Sequence, residues 1–93
     1  PFTPGVEGAG VVEAIGPRVI DWQPGDHVAW AMTPGAYAEY AVLNESKVVR
    51  IPDGVGTATA AALMLQGMTA HYLTRSTFKL SAGQTALVHA AAG

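Results

Sequence analysis

The stretch PGVEGAGVVEAIG, Pro4 to Gly16, decides how this chain is read. Gly5, Gly8 and Gly10 crowd one acid, Glu7, at the head of a β-branched run. Glycine at such density serves positive φ or close backbone approach. The residue before the acid is Val6, which has no atom to offer a metal. Glu7, set among glycines, is expected to accept backbone N–H bonds from the glycine-rich turn.

Outward from this stretch, turn signals recur at Gly16-Pro17, Pro24-Gly25-Asp26, Pro34-Gly35 and Pro52-Asp53-Gly54. The runs between them predict strands over 10–15, 27–30, 37–42 and 47–50. Short strands closely spaced by Pro and Gly turns suggest a compact, barrel-like β unit. After Gly56 the pattern changes. Residues 58–75 are rich in Ala, Leu, Met and Gln and predict helix, with Gly67 marking a break near Gln66. The segment is apolar on almost every side, which predicts burial between layers. A loop at 81–84 precedes the apolar run 85–89, which suits a strand covered on both faces. That run enters Ala90-Ala91-Ala92-Gly93. A buried strand opening into small residues is how dinucleotide-binding domains begin, although one glycine after three alanines also fits a plain strand-to-helix turn.

Composition narrows the function classes. The chain has 93 residues, of which 13% are charged, about half the share usual in soluble domains. An apolar balance of this kind predicts contact with further protein. Pro1 and Gly93 read as cut ends, so a piece of a larger chain is expected. The net charge of −2 gives no electrostatic footprint for nucleic acid or anionic membrane. No apolar run approaches the ~18 residues that span a bilayer, and no signal-peptide pattern is visible. There are no cysteines, which removes disulfides and thiolate zinc sites. A cytoplasmic location is compatible with this. His27, His71 and His89 are scattered without a second ligand at helical spacing, so each reads as a packing or strand-edge residue rather than a metal ligand. Trp30, Met32 and Tyr37 either line a flat substrate pocket or belong to ordinary barrel core or a subunit contact.

Five segments together resemble the medium-chain dehydrogenase/reductase superfamily, in its zinc-independent, zeta-crystallin-like quinone oxidoreductase branch. They are PGVEGAGVVEAIG (4–16), PGDHVAW (24–30), GAYAEYAVL (35–43), PDGVGTATAAALMLQGMTAHYLT (52–74) and GQTALVHAAAG (83–93). The resemblance implies an α+β fold class, part of a GroES-like β-barrel catalytic domain leading into the first strand of a Rossmann α/β domain. It divides the chain into 1–66, part of the GroES-like catalytic domain, and 67–93, the start of the dinucleotide-binding domain. In zinc alcohol dehydrogenases of this superfamily a His-Glu pair occupies this strand head, and the His binds catalytic zinc. Here Val6 stands for the His while Glu7 remains, and the cysteines of the structural zinc lobe are absent. No metal is therefore expected.

The resemblance further implies NADPH as cofactor and hydride transfer to a quinone or other conjugated carbonyl. It places Gln66, Thr69 and Tyr72 toward the nicotinamide, with Gly93 in the phosphate turn. Spacing at i, i+3 and i+6 agrees in putting the three on one side of a helix. The plainer reading leaves Thr69 bonded to its own helix and Tyr72 at a core edge. Met64 stands where relatives often carry proline, so the helix is expected to run on farther here. Many relatives are homodimers. Two alternatives share these motifs: an enoyl reductase domain of a fatty-acid or polyketide synthase, and a non-catalytic crystallin-like or RNA-interacting family member.

Overall fold

The computed structural model describes residues 1–92. Three short strands, β1 (Glu7–Val11), β2 (His27–Ala31) and β3 (Val48–Arg50), form one antiparallel sheet in that order. One helix, α1 (Thr57–Tyr72), packs on it. The sheet is open rather than closed into a barrel. This three-strand sheet with its helix matches the expected part of a GroES-like unit.

Register follows from the pleat. Glu7 pairs with Ala31, Gly8 with Trp30, Ala9 with Ala29 and Val11 with His27. Side chains alternate between faces, so Glu7 and Ala9 share a face with Ala29. That face meets α1. Ala29, Ile51 and Ala60 form the buried cluster, with Ala9, Val55 and Met64 packed against it. Small residues on both sides let helix and sheet approach closely. The opposite face carries Trp30, whose ring lies over Gly8. A Cβ at Gly8 would stand 2.5 Å from that ring, so only glycine fits there.

Gly5 is constrained twice. Its φ is +91° and an added Cβ would fall 2.6 Å from the Tyr37 ring. Its carbonyl accepts from Gly35 N at 2.9 Å and Ala36 N at 3.2 Å. Tyr37 N donates to Pro4 O at 3.0 Å, and Thr33 N to Val6 O at 3.2 Å. The loop after β2 thus hangs on residues 4–6 and holds the head of β1. At the far end, Asp26 closes the turn before β2. Its carboxylate accepts from Gln23 N at 2.9 Å and pairs with Arg50 at 2.9 Å, and the guanidinium lies 4.8 Å from the Trp22 ring centre.

Several expectations are corrected. The first strand begins at Glu7, not Gly10, because its partners on β2 extend to Ala31. Residues 37–42 form no strand; Tyr37, Tyr40 and Val42 are exposed, and no ladder partner lies beside them among the described residues. The run 85–89 pairs with nothing among the described residues, and Leu87 and Val88 are exposed. An apolar run needs cover on both faces to settle as an inner strand, and here neither face is covered. The helix does not break at Gly67. It runs unbroken through both Met64 and Gly67, since one interior glycine costs only about 1 kcal/mol against a run of strong helix formers. Nor is it enclosed: only Ala60 is buried. Three strands cover one side of a helix, and Leu63 and Met68 face outward.

The helix ends in a π-turn, Leu73–Thr77, where Phe78 N reaches Leu73 O at 3.1 Å. The wide turn re-aims the chain into Phe78, which is extended. No helix of the described residues is long and apolar enough to cross a membrane.

Candidate functional site

β1 starts where β2 ends, because the two run antiparallel. Val6 and Glu7 therefore sit beside Ala31 and Met32, and the middle of α1 crosses this corner. Glu7 is half-buried. Its Oε2 accepts from Leu65 N at 3.1 Å and its Oε1 from Gln66 Nε2 at 3.3 Å. The carboxylate thus finds its N–H donor on α1, not on the glycine-rich turn expected from sequence. The pleat explains this: an acid at position 7 points to the helix side of the sheet, with Ala9. Among the described residues no side chain is both buried and charged, and Glu7 keeps its polar end at the rim of the core.

Val6 leaves its side chain partly exposed at the same corner. Met32, next along from Ala31, has φ +60°, a left-handed conformation unusual for a residue with a long side chain. Its side chain is exposed. Among the described residues no three His, Cys, Asp or Glu side chains gather into a metal-binding group.

Of the residues expected to meet a cofactor, Gln66, Thr69 and Tyr72 all lie on α1. Thr69 is half-buried and its Oγ1 donates to Leu65 O at 2.8 Å, the plainer bond anticipated for a helical threonine. That bond uses its only proton and leaves the oxygen free to accept. Gln66 is exposed and gives its amide N–H to Glu7. Tyr72 is exposed and lies one residue before the π-turn. Gly93 lies outside the described residues. The three α1 side chains offer acceptor oxygens and one aromatic ring along an uncovered stretch of helix. Such a set fits a flat ring bearing a carboxamide.

The remaining candidates divide. Trp30 is buried against Gly8 and acts in packing; its Nε1 has no partner among the described residues. Tyr37 is exposed and abuts the Gly5 backbone; Trp30 lines an open cavity between β1 and residues 38–43, to which neither Met32 nor Tyr37 contributes. His27 opens β2, in agreement with a strand-edge role, whereas His71 and His89 are exposed rather than packed. Sequence reading missed the Glu7–Gln66 pair. Its signal was the β-period, which puts Glu7 with Ala9 on the helix side once the strand is started at position 7. It also missed the Asp26–Arg50–Trp22 clamp. There the Arg50 guanidinium, followed by the Gln23 N–H, holds the Asp26 carboxyl below its ordinary range.

Comparison with known proteins gives this corner a context. Residues 1–53 match the alcohol dehydrogenase GroES-like domain. A quinone oxidoreductase of Pseudomonas aeruginosa is 53% identical over 90 residues, covering 96% of this chain and 28% of that protein. Erythronolide synthase EryA2 of Saccharopolyspora erythraea is 46% identical, over 96% of this chain and 2% of its own length. A mycobacterial structure solved with NADPH superposes with a TM-score of 0.88 at 43% identity, over 99% of this chain and 29% of that one. The chain thus spans under a third of the quinone oxidoreductase and of the solved structure. With the family match covering more than half of its residues, the chain belongs to the alcohol dehydrogenase GroES-like domain family, and its relatives include quinone oxidoreductases of the medium-chain dehydrogenase/reductase superfamily.

Proposed function

We propose that the whole protein is an NADPH-dependent, zinc-independent reductase that delivers hydride to a quinone or another conjugated carbonyl. The observation that carries this is the 53% identity to a quinone oxidoreductase along almost the entire chain, with Val6 at the position preceding Glu7. The NADPH-bound mycobacterial relative supports the cofactor. Valine has no lone pair, so this strand head supplies no nitrogen ligand to a Lewis acid. Alcohol oxidation gains from such an acid at the developing alkoxide. An acceptor already activated by conjugation does not depend on it.

In this reading residues 1–66 belong to the GroES-like catalytic domain, and 67–93 open the dinucleotide-binding domain. The helix crosses that boundary unbroken and carries Gln66, Thr69 and Tyr72 from one domain toward the other. NADPH, when bound, supplies the hydride. The chain's own contribution is orientation and exclusion of water. Thr69 and Gln66 present acceptors to the carboxamide of the nicotinamide, Tyr72 offers its ring, and Gly93 lets backbone approach the pyrophosphate. The apolar faces of α1 and the run 85–89 receive their cover from the rest of the protein. We place that protein in the cytoplasm as a homodimer, with neither nucleic acid nor membrane among its partners.

The 46% identity to erythronolide synthase favours a second reading, an enoyl reductase domain acting on a thioester-activated enone. The two share hydride delivery to a conjugated acceptor and differ in the acceptor's handle. Steady-state NADPH oxidation by the whole protein, with 1,4-benzoquinone against a crotonyl thioester, separates them. Faster turnover of the quinone supports the first reading; turnover of the thioester alone replaces it with the second.

A further inference from the structure

We infer that Glu7 is a positioning residue that sets the polarity of the Gln66 amide, and thereby makes this corner selective for a ligand carboxamide. The inference rests on the proposal that Gln66 faces the nicotinamide. An ionised carboxylate has acceptors only. Glu7 Oε1 takes Gln66 Nε2 at 3.3 Å, while Oε2 takes Leu65 N at 3.1 Å. With both carboxylate oxygens engaged by one turn of α1, Gln66 must turn its N–H₂ toward Glu7. Its carbonyl oxygen is then left on the exposed side, where no described residue donates to it. A free glutamine would offer either end of its amide equally well. Held by Glu7, it offers an acceptor, and Thr69, having given its proton to Leu65 O at 2.8 Å, offers another. Two acceptors three residues apart on one helix, Gln66 exposed and Thr69 half-buried, select a ligand that donates. The N–H₂ of a nicotinamide carboxamide is such a donor. The methyl ketone of a 3-acetylpyridine analogue keeps the ring and the carbonyl oxygen but cannot donate.

The same geometry explains what Glu7 does at a strand head with no metal ligand beside it. Its charge is spent on the helix, and its effect on the cofactor passes through Gln66.

The test is the ratio of dissociation constants for NADPH and its 3-acetylpyridine analogue, read by quenching of tryptophan fluorescence in the whole protein. The wild type is expected to favour the carboxamide by about three- to tenfold, the size of one hydrogen bond made or missed. Glu7→Gln lets the Gln66 amide reverse and is expected to bring the ratio to within about twofold of unity. Gln66→Leu, which leaves the bond from Leu65 N to Glu7 in place, is expected to do the same and covers the case in which Glu7→Gln fails to fold. The double exchange of Glu7→Gln with Gln66→Glu again leaves an outward acceptor and is expected to restore the preference. A merely structural Glu7 would weaken both cofactors alike. Preference unchanged in Glu7→Gln and Gln66→Leu overturns the inference while leaving the cofactor reading intact. A wild type that binds neither dinucleotide overturns the cofactor reading, and the inference falls with it.

Discussion

Glu7 and Gln66 lie 59 residues apart in sequence, and their side chains meet at 3.3 Å, with the neighbouring Leu65 N–H on the other carboxylate oxygen. One acid thus fastens the first strand to the middle of the helix. Glu7→Ala removes the acceptor and leaves the Leu65 N–H without its carboxylate partner at a half-buried position. The expected cost is about 1–3 kcal/mol of stability, measured by urea unfolding. A loss below the error of that measurement would mean that the helix is held by the Ala29–Ile51–Ala60 cluster alone.

Gly8 and Trp30 make a second, steric test. A methyl at Gly8 falls inside contact distance of the indole ring. Gly8→Ala is expected to destabilise by about 1–3 kcal/mol. The same change in a Trp30→Leu background is expected to cost less, because the ring it strikes is gone, and the double-mutant cycle reads that coupling. Additive losses would show that the ring moves aside freely.

Acid sensitivity has a defined sign at the Asp26–Arg50 pair. The Arg50 guanidinium, then the Gln23 N–H, lower the Asp26 pKa in the folded state. A lowered folded value gives a contribution fully present above the ordinary carboxylate pKa of about 4 and lost as pH falls through the lower folded value. Wild type is therefore expected to lose stability faster than Asp26→Asn between about pH 5 and pH 3. Arg50 is exposed and Asp26 only partly covered, so the difference is small and shrinks further in salt. Parallel acid titrations of the two proteins would remove Asp26 from the account.

Thr69 and Tyr72 carry the cofactor proposal. Thr69→Val keeps the shape and removes an acceptor whose own proton is given to the helix. It is expected to weaken NADPH binding about three- to tenfold with little change in stability. Tyr72→Phe keeps the ring and tests the hydroxyl alone. Unchanged dissociation constants in both variants would move the nicotinamide off this helix.

How much of this was legible beforehand differs by element. Strand β2 and the start of β3 were marked by turn residues on either side and by β-branched content, and they fall where the pattern puts them. The helix was legible from its Ala, Leu and Met content, although Gly67 suggested a break that propensity outweighs. The strand expected at 37–42 and the one at 85–89 failed for one reason. Local pattern reports what a segment can become, but a ladder needs a neighbour, and neither segment has one among the described residues. At the site, the place of Gln66, Thr69 and Tyr72 on one helix followed from the helix-forming content of 58–75. The Glu7–Gln66 bond was legible only by half: the β-period puts Glu7 on the helix side, but its partner depends on how two elements nearly sixty residues apart are set against each other, and no local period encodes that.

The measurement that bears most directly on the central claim is NADPH oxidation by the whole protein with 1,4-benzoquinone, before and after exhaustive treatment with a metal chelator. Turnover that the chelator leaves unchanged is expected under the proposed zinc-independent reduction, since Val6 offers no side-chain ligand at the strand head. Absent quinone turnover, together with alcohol oxidation that the chelator abolishes, would contradict it.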